Sequence, residues 1–381
     1  MPQNQKLNIA FLYDDSLDGS EGVANQVKLL GGWMSARGHK VSYFGGETKL
    51  KDWHGGKVYS LAKNVRVRFN GNRLSIPLPA KKAAIRRALA VEKPDILHVQ
   101  MPHSPFMSQR VIDAAGNTPA VGTFHIFPAG NLVRVGARLL RLAYHGRLSK
   151  IGEVVSVSSA AQEFAKSSFK LKTSVVPNMV DIKQFKVQKA SIKPNQVVFL
   201  GRLVDRKGCA QLIQAFSSVK QHIPEARLVI AGDGPQRNQL EFLAKRLGLG
   251  TSVEFLGFVS EQQRRQLLAS AAVACFPSLY GESFGIVLIE AMAAGSGVVL
   301  AGNNPGYASI MGAIPETMFD PRDPKALGDK ILLFLGDNQL STSVHESQAK
   351  LVKQFDVNNV GPQIEALYER AIDKTAGTRH N

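Results

Sequence analysis

Two α/β domains of comparable size, each a doubly wound parallel sheet, are what this sequence predicts. Three observations lead there: a length of 381 residues, a hydrophobic content of 44%, and short apolar runs that alternate with amphipathic stretches from end to end. At roughly 100–200 residues per domain the length favours two domains. The composition supplies sizeable cores and excludes wholesale disorder. Regular strand–helix alternation argues for βαβ units and hence for parallel sheets.

Taken in order, Leu7 to Tyr13 reads as the first strand, followed by a loop and a helix from about Val23 to Arg37. Val41 to Phe44, Ile96 to Val99, Ala120 to Phe124, Val154 to Val157 and Thr173 to Val176 continue the first series. The polar, Lys-rich stretch from Asp181 to Gln196 is the linker candidate, and a second series begins at Val197. It comprises Val197 to Leu200, Arg227 to Ala231, Val253 to Leu256, Val273 to Phe276 and Gly297 to Ala301. Helical patterns such as Cys209 to Gln221 and Gln236 to Leu247 lie between these runs. The expected domains are 1–185 and 186–359, with a C-terminal helix of about 360–381 packing back on the first. Ligands of such sheets bind beyond the carboxyl ends of strands, so the loops after strands are where function is sought.

No run approaches the ~18 apolar residues of a membrane span, and the N-terminus leads into a strand pattern without a signal-peptide core. The two cysteines, Cys209 and Cys275, lie in apolar surroundings, which points to a reducing cytoplasm rather than a disulfide framework. Net charge is +17, and it is unevenly placed. Between Lys49 and Arg87 stand eleven Lys or Arg and one acid, Asp52. An acid-free stretch carries Arg134, Arg138, Arg141, Arg147 and Lys150. A basic first half attracts phosphates of lipid headgroups or nucleic acid; a solvated surface is the alternative.

The strongest chemical signal is the run Glu282 to Glu290, which follows a strand ending at Phe276 and opens a buried apolar helix. Ser283 is placed to cap it, and Gly285 allows close backbone approach. The free N–H groups and dipole of such a helix start suit a diphosphate. Glu282 at the rim can accept from sugar hydroxyls, and Glu290, deep in an apolar stretch, needs a partner that vicinal ribose hydroxyls would supply. A capping Glu and a salt-bridged core Glu form the alternative.

Gly201 to Gly208 presents Arg202 and Lys207 at another strand's carboxyl end, where they could neutralise a departing diphosphate. The alternative is an exposed basic turn. His125 ends a strand of the first domain, a catalytic or a structural histidine. Gly22, at the start of the first helix, could let the backbone touch phosphate. Gly232-Asp233-Gly234 begins a dinucleotide fingerprint that fails at Arg237. No phosphate-binding G-x-x-x-x-G-K-[ST] loop, zinc motif or Asp-x-Asp clamp occurs.

These residues resemble the retaining glycosyltransferases of family 4, of GT-B fold. The resemblance covers nearly the whole chain and is carried by Glu282-x7-Glu290 in GESFGIVLIEAMAAG, by GR-x4-KG at Gly201 to Gly208, and by PN-x-VD at Pro177 to Asp181. It implies two Rossmann-like domains facing across a cleft. It further implies Glu282 near the donor sugar, Glu290 on the ribose, Arg202 and Lys207 on the diphosphate, and backbone amides of Ser283, Phe284, Gly285 and Ile286 on phosphate and sugar. Where the family commonly has a glycine pair, this chain has Glu21-Gly22.

Within the family the chain looks most like the phosphatidylinositol mannosyltransferases of actinobacteria, through the basic helix after Pro79, DILHVQMPHSPFMS at Asp95 to Ser108, and Thr123-Phe124-His125. That likeness implies a catalytic His125 and a membrane-docking surface of Lys81, Lys82, Arg86 and Arg87, beside Ile85 and Leu89. The expected enzyme is a metal-independent, retaining hexosyltransferase on the cytoplasmic face of the cell membrane. It takes a nucleotide sugar, GDP-mannose favoured over a UDP-sugar, and needs no cofactor. It meets anionic phospholipid and a lipid acceptor such as phosphatidylinositol. The rivals are another donor with another lipid or soluble acceptor, and a non-catalytic basic protein that binds membrane or nucleic acid.

Overall fold

A computed structural model describes residues 6–18, 22–69, 72–100, 107–127, 151–187 and 191–377. The chain forms two compact units, one of residues 1–179 with 357–381 and one of 180–356. The first unit therefore ends at Met179, where the sequence placed the boundary at 185.

Unit 1 contains β1 (Asn8–Tyr13), β2 (Lys40–Gly45), β3 (Asp52–Trp53), β4 (Gly56–Ser60), β5 (Asn64–Phe69), β6 (Asn72–Pro77), β7 (Ile96–Gln100), β8 (Ala120–Phe124), β9 (Glu153–Ser156) and β10 (Ser174–Val175). Its main sheet runs β10-β9-β8-β7-β1-β2-β4-β3, parallel except for the β3–β4 edge pair, while β5 and β6 form a separate antiparallel hairpin. Alternate residues of β1 serve opposite faces: Ile9, Phe11 and Tyr13 join one core, Ala10 and Leu12 the other. Helices on both faces explain why its strands are almost wholly apolar.

The C-terminal helix Val357–Gly377 packs on unit 1, where Ile364, Leu367 and Tyr368 join the β1 core. His39 and Arg37 pair with Glu365 there, at 2.8 and 3.1 Å.

Unit 2 contains β11 (Lys193–Leu200), β12 (Arg227–Ala231), β13 (Val253–Gly257), β14 (Ala271–Phe276), β15 (Val298–Gly302) and β16 (Met318–Phe319), ordered β13-β12-β11-β14-β15-β16 and parallel throughout. Parts of the expected linker form regular structure, the turn Ile182–Phe185 and the start of β11 at Lys193. Asp181 caps the turn Ile182–Phe185 by accepting from Gln184 N–H, and Phe185 is buried beneath the guanidiniums of Arg264 and Arg265. Phe185 thus anchors the turn Ile182–Phe185, a contact that the polar composition does not reveal.

Candidate functional site

Doubly wound sheets open a crevice where the strand order reverses. In unit 2 that point lies between β11 and β14, and the loops leaving both strands are bound together. After β11 the chain makes a short turn, Asp205–Lys207. The carbonyl of Arg206 accepts from Leu279 N–H at 2.8 Å, joining it to the loop after β14. Gly208 has φ +69 and sits so close that a Cβ would lie 2.0 Å from the Pro277 carbonyl, so no larger residue fits between the loops. A third loop, after β15, is tied in by Asn304, whose amide donates to the carbonyls of Ser278 (3.0 Å) and Gly302 (3.1 Å). The Gly232-Asp233-Gly234 loop has a bracing job: Leu203 N–H donates to Asp233 and Gln236 N–H to Leu203, at 3.0 and 3.1 Å.

These ties converge on Glu282. Arg206 Nη1 stands 2.8 Å and Lys207 Nζ 2.9 Å from the same oxygen, Oε1, of a side chain that is only 12% exposed. Burial pushes the Glu282 carboxyl up, but Lys207 and Arg206, with a hydrogen bond from Ser278, hold it below the usual carboxylate range. Glu290 is paired differently. Arg264 Nη1 reaches its two oxygens at 3.0 and 3.3 Å. Burial nevertheless outweighs Arg264 and leaves the carboxyl above its ordinary value.

The helix that carries Glu290 is Ile286–Ala294, and its first turn leaves backbone N–H groups without intrahelical partners. Its N-cap is Gly285 at φ +121, not Ser283 as the sequence suggested. Only glycine fits at that cap, since a Cβ would lie 2.6 Å from the Tyr307 ring. The Phe284 side chain is buried edge-on against Phe355, centroids 5.7 Å apart, so the backbone is what this residue offers a ligand. Arg202 is exposed at the exit of β11.

In unit 1 the strand order reverses between β1 and β7. Asp14, just beyond β1, is buried and accepts from both the backbone N–H and the hydroxyl of Ser108. His125, just beyond β8, is 8% exposed, and its Nε2 lies 2.6 Å from Gln100 Oε1 at the end of β7. Its neighbour His98 is locked between Thr123 Oγ1 and Tyr368 OH, both at 2.7 Å, and burial pushes its pKa down to about 3. His98 is therefore a neutral brace. Gly22 is the exposed first residue of the helix Gly22–Ala36. Glu21, His103, Arg134, Arg138, Arg141, Arg147 and Lys150 lie outside the described residues.

Lys81, Lys82, Arg86 and Arg87 are exposed at and within the helix Lys82–Glu92. Ile85 is fully buried and so unavailable to a membrane, and Leu89 packs half-buried against the same core. The 3.6-residue period that suits an interface serves the core instead, leaving a basic face. Among the described residues no helix is long and apolar enough to cross a membrane, and no three His, Cys, Asp or Glu side chains converge as metal ligands.

Comparison with known proteins assigns the fold's owner. Residues 20–184 match the family described as Glycosyltransferase Family 4, and residues 181–353 match Glycosyl transferases group 1. A phosphatidyl-myo-inositol mannosyltransferase of Mycobacterium tuberculosis is 31% identical over 95% of this chain and 97% of its own length. The chain belongs to glycosyltransferase family 4.

This glycosyltransferase also resembles a component of the Arabidopsis thaliana phosphatidylinositol N-acetylglucosaminyltransferase, 25% identical over 98% of this chain and 84% of that protein. In fold it matches a glycosyltransferase of Rickettsia africae (TM-score 0.74, 18% identity, 96% and 98% coverage). Anabaena HepE, solved with UDP and glucose, matches with TM-score 0.71 at 20% identity, covering 95% of this chain and 99% of that one. The GT-B architecture of two Rossmann-like domains is thereby established. For this transferase, sequence reading singled out Glu282, Lys207 and Glu290 but missed Arg206 and Arg264, the cations that hold the two carboxylates. Lys207 was sought as a phosphate ligand, and its tie to Glu282 is a long-range contact with no local signal.

Proposed function

We propose that the protein is a retaining mannosyltransferase that moves mannose from GDP-mannose to a phosphatidylinositol-type lipid at the cytoplasmic face of the membrane. The observation that carries the donor half is the convergence of Lys207, Arg206 and Glu282 beside the start of the helix Ile286–Ala294, at the switch point of unit 2. Arg202, Lys207 and the backbone amides of Ser283, Phe284, Gly285 and Ile286 take the diphosphate, joined by the amide of Gly22. Glu282 accepts from the sugar hydroxyls and Glu290 from the ribose.

In the transfer, the bond from the anomeric carbon to the diphosphate oxygen breaks and a bond to the acceptor oxygen forms on the same face. The acceptor's proton passes to the departing phosphate oxygen. Unit 1 contributes His125 as its catalytic group. Cations already in place where charge develops lower the barrier without reorganising. No metal ion or cofactor enters this scheme. The exposed face of Lys81, Lys82, Arg86 and Arg87 is the membrane-docking surface, drawn to anionic headgroups.

The acceptor half rests on relatives. The mycobacterial and plant proteins share phosphatidylinositol in their names and differ in the sugar, which supports the lipid more firmly than mannose. The plant relative therefore favours a second reading, N-acetylglucosamine from its UDP form onto the same lipid. Calorimetry with GDP-mannose, UDP-glucose and UDP-N-acetylglucosamine decides between them. Selective GDP-mannose binding, weakened in Glu290→Ala, is the expected result. Selective binding of a UDP-sugar would replace the donor, and binding of none would end the transferase assignment of this site.

A further inference from the structure

Lys207 and Arg206 share one oxygen of Glu282, at 2.9 and 2.8 Å. Two cations on one oxygen is more than a carboxylate at the rim of a site requires. The two are not equivalent. Lysine is a point charge on a flexible stem, free to exchange one anion for another, whereas the guanidinium of arginine is a fixed fork. Arg206 is also anchored through its backbone, since its carbonyl accepts from Leu279 N–H in the loop that leads to Glu282. A diphosphate arriving beside Lys207 carries more negative charge than Glu282 and competes for that ammonium. Were Lys207 the sole partner, the carboxylate would be left without a cation at the moment it must hold a sugar hydroxyl, and an unpaired charge at so covered a position is unfavourable.

We propose that Arg206 is a positioning residue of the transfer reaction: it keeps the Glu282 carboxylate in place while Lys207 turns to the diphosphate. The inference rests on the donor assignment above and gives Arg206 a role that the assignment leaves open. Other groups facing Glu282 cannot substitute. Ser278 offers one hydroxyl, which lies 3.0 Å from that of Tyr307, and Tyr307 stays neutral because burial raises its pKa well above the ordinary value.

The test compares wild type, Arg206→Met and Arg206→Lys in nucleotide-sugar turnover and in calorimetric binding of GDP and UDP. Arg206→Met lowers kcat by about 100-fold while the nucleoside diphosphate Kd stays within about threefold, because misplacing one group costs turnover rather than nucleotide binding. The acid limb of its kcat profile moves to higher pH, since Glu282 has lost a cation. Arg206→Lys, which keeps the charge, recovers most of the rate. Equal losses of nucleotide affinity and of kcat would make Arg206 a phosphate ligand and overturn the proposal, as would an unaltered kcat. If the wild type binds neither nucleoside diphosphate nor any nucleotide sugar, the donor assignment falls and this inference with it. If the wild type turns over and Arg206→Met does too, the inference alone falls.

Discussion

In unit 2 the loops leaving the central strands carry Arg202, Arg206, Lys207 and Glu282; in unit 1 the loops leaving β1 and β8, with the end of β7, carry Asp14, His125 and Gln100. Both sheets are wound in the same sense, with the order reversing beside the first strand of each unit. The winding fixes where loops gather and says nothing of their chemistry. Unit 2 binds its loops together with ion pairs, Arg206 and Lys207 on Glu282 and Arg264 on Glu290. Unit 1 joins its strand ends through hydrogen bonds: Ser108 donates to Asp14, His98 sits between Thr123 and Tyr368, and His125 lies against Gln100. The cations gathered in unit 2 suit a dianionic leaving group.

The largest test of this contrast pairs one substitution from each unit. Lys207→Ala is expected to lower turnover by about 10²–10³-fold, roughly 3–4 kcal/mol of transition-state stabilisation, and to weaken nucleoside diphosphate binding as well. His125→Ala is expected to lower turnover by about 100-fold and leave nucleotide binding unchanged. Steady-state kinetics with calorimetry on both variants separates the two. Loss of nucleotide affinity in His125→Ala would break the division of labour between the units.

A smaller effect concerns the basic face of unit 1, and it bears on what was legible in the sequence. Arg86→Ser with Arg87→Ser should weaken binding to phosphatidylserine vesicles by about 2 kcal/mol in total at low salt, near 1 kcal/mol per charge. Sedimentation with vesicles measures this, and added salt should shrink the difference. Ile85→Ala provides the contrast. Because Ile85 is core, it should cost about 2–5 kcal/mol of stability and leave vesicle binding of the folded protein intact. Vesicle binding that tracks Ile85 and ignores the arginines would reverse both assignments.

Periodicity showed that the helix Lys82–Glu92 is amphipathic, but a core and a membrane impose the same period on a helix. Only the packing of Ile85 and Ala88 against their neighbours decides. The parallel strands were readable for the opposite reason: burial on both faces leaves an unbroken apolar run, as in Val298–Gly302. Short edge pieces such as β3 and β16 gave no such run. Glu282 and Glu290 stood out through their spacing, whereas their partners Arg206 and Arg264 are chosen by tertiary contacts with Glu282 and Glu290, 76 and 26 residues away.

The finest distinction lies inside unit 2, between the two carboxylates. Glu282 is held below the usual carboxylate range by its two cations, despite burial. Glu290 lies above it, because burial outweighs Arg264. As pH falls, Glu290 therefore takes up a proton first and Glu282 later. In the proposed ribose role, an ionised Glu290 accepts from both hydroxyls, and a protonated one must spend one oxygen as a donor. Nucleotide affinity should thus weaken as pH falls through the raised Glu290 pKa, by at most about tenfold per pH unit for a single proton.

The linked stability has opposite signs at the two sites. A raised carboxyl pKa means that the folded state binds more protons than the unfolded one between the two values, so stability falls as pH rises through that window. The depressed Glu282 adds stability above the unfolded carboxyl pKa and loses it as pH falls through its folded one. Glu290→Gln should therefore flatten the pH dependence of nucleotide binding, and it should remove the fall in stability as pH rises through that window. Calorimetric Kd values and urea unfolding across mildly acidic pH measure both, and an unchanged pH profile in Glu290→Gln would take the ribose away from Glu290.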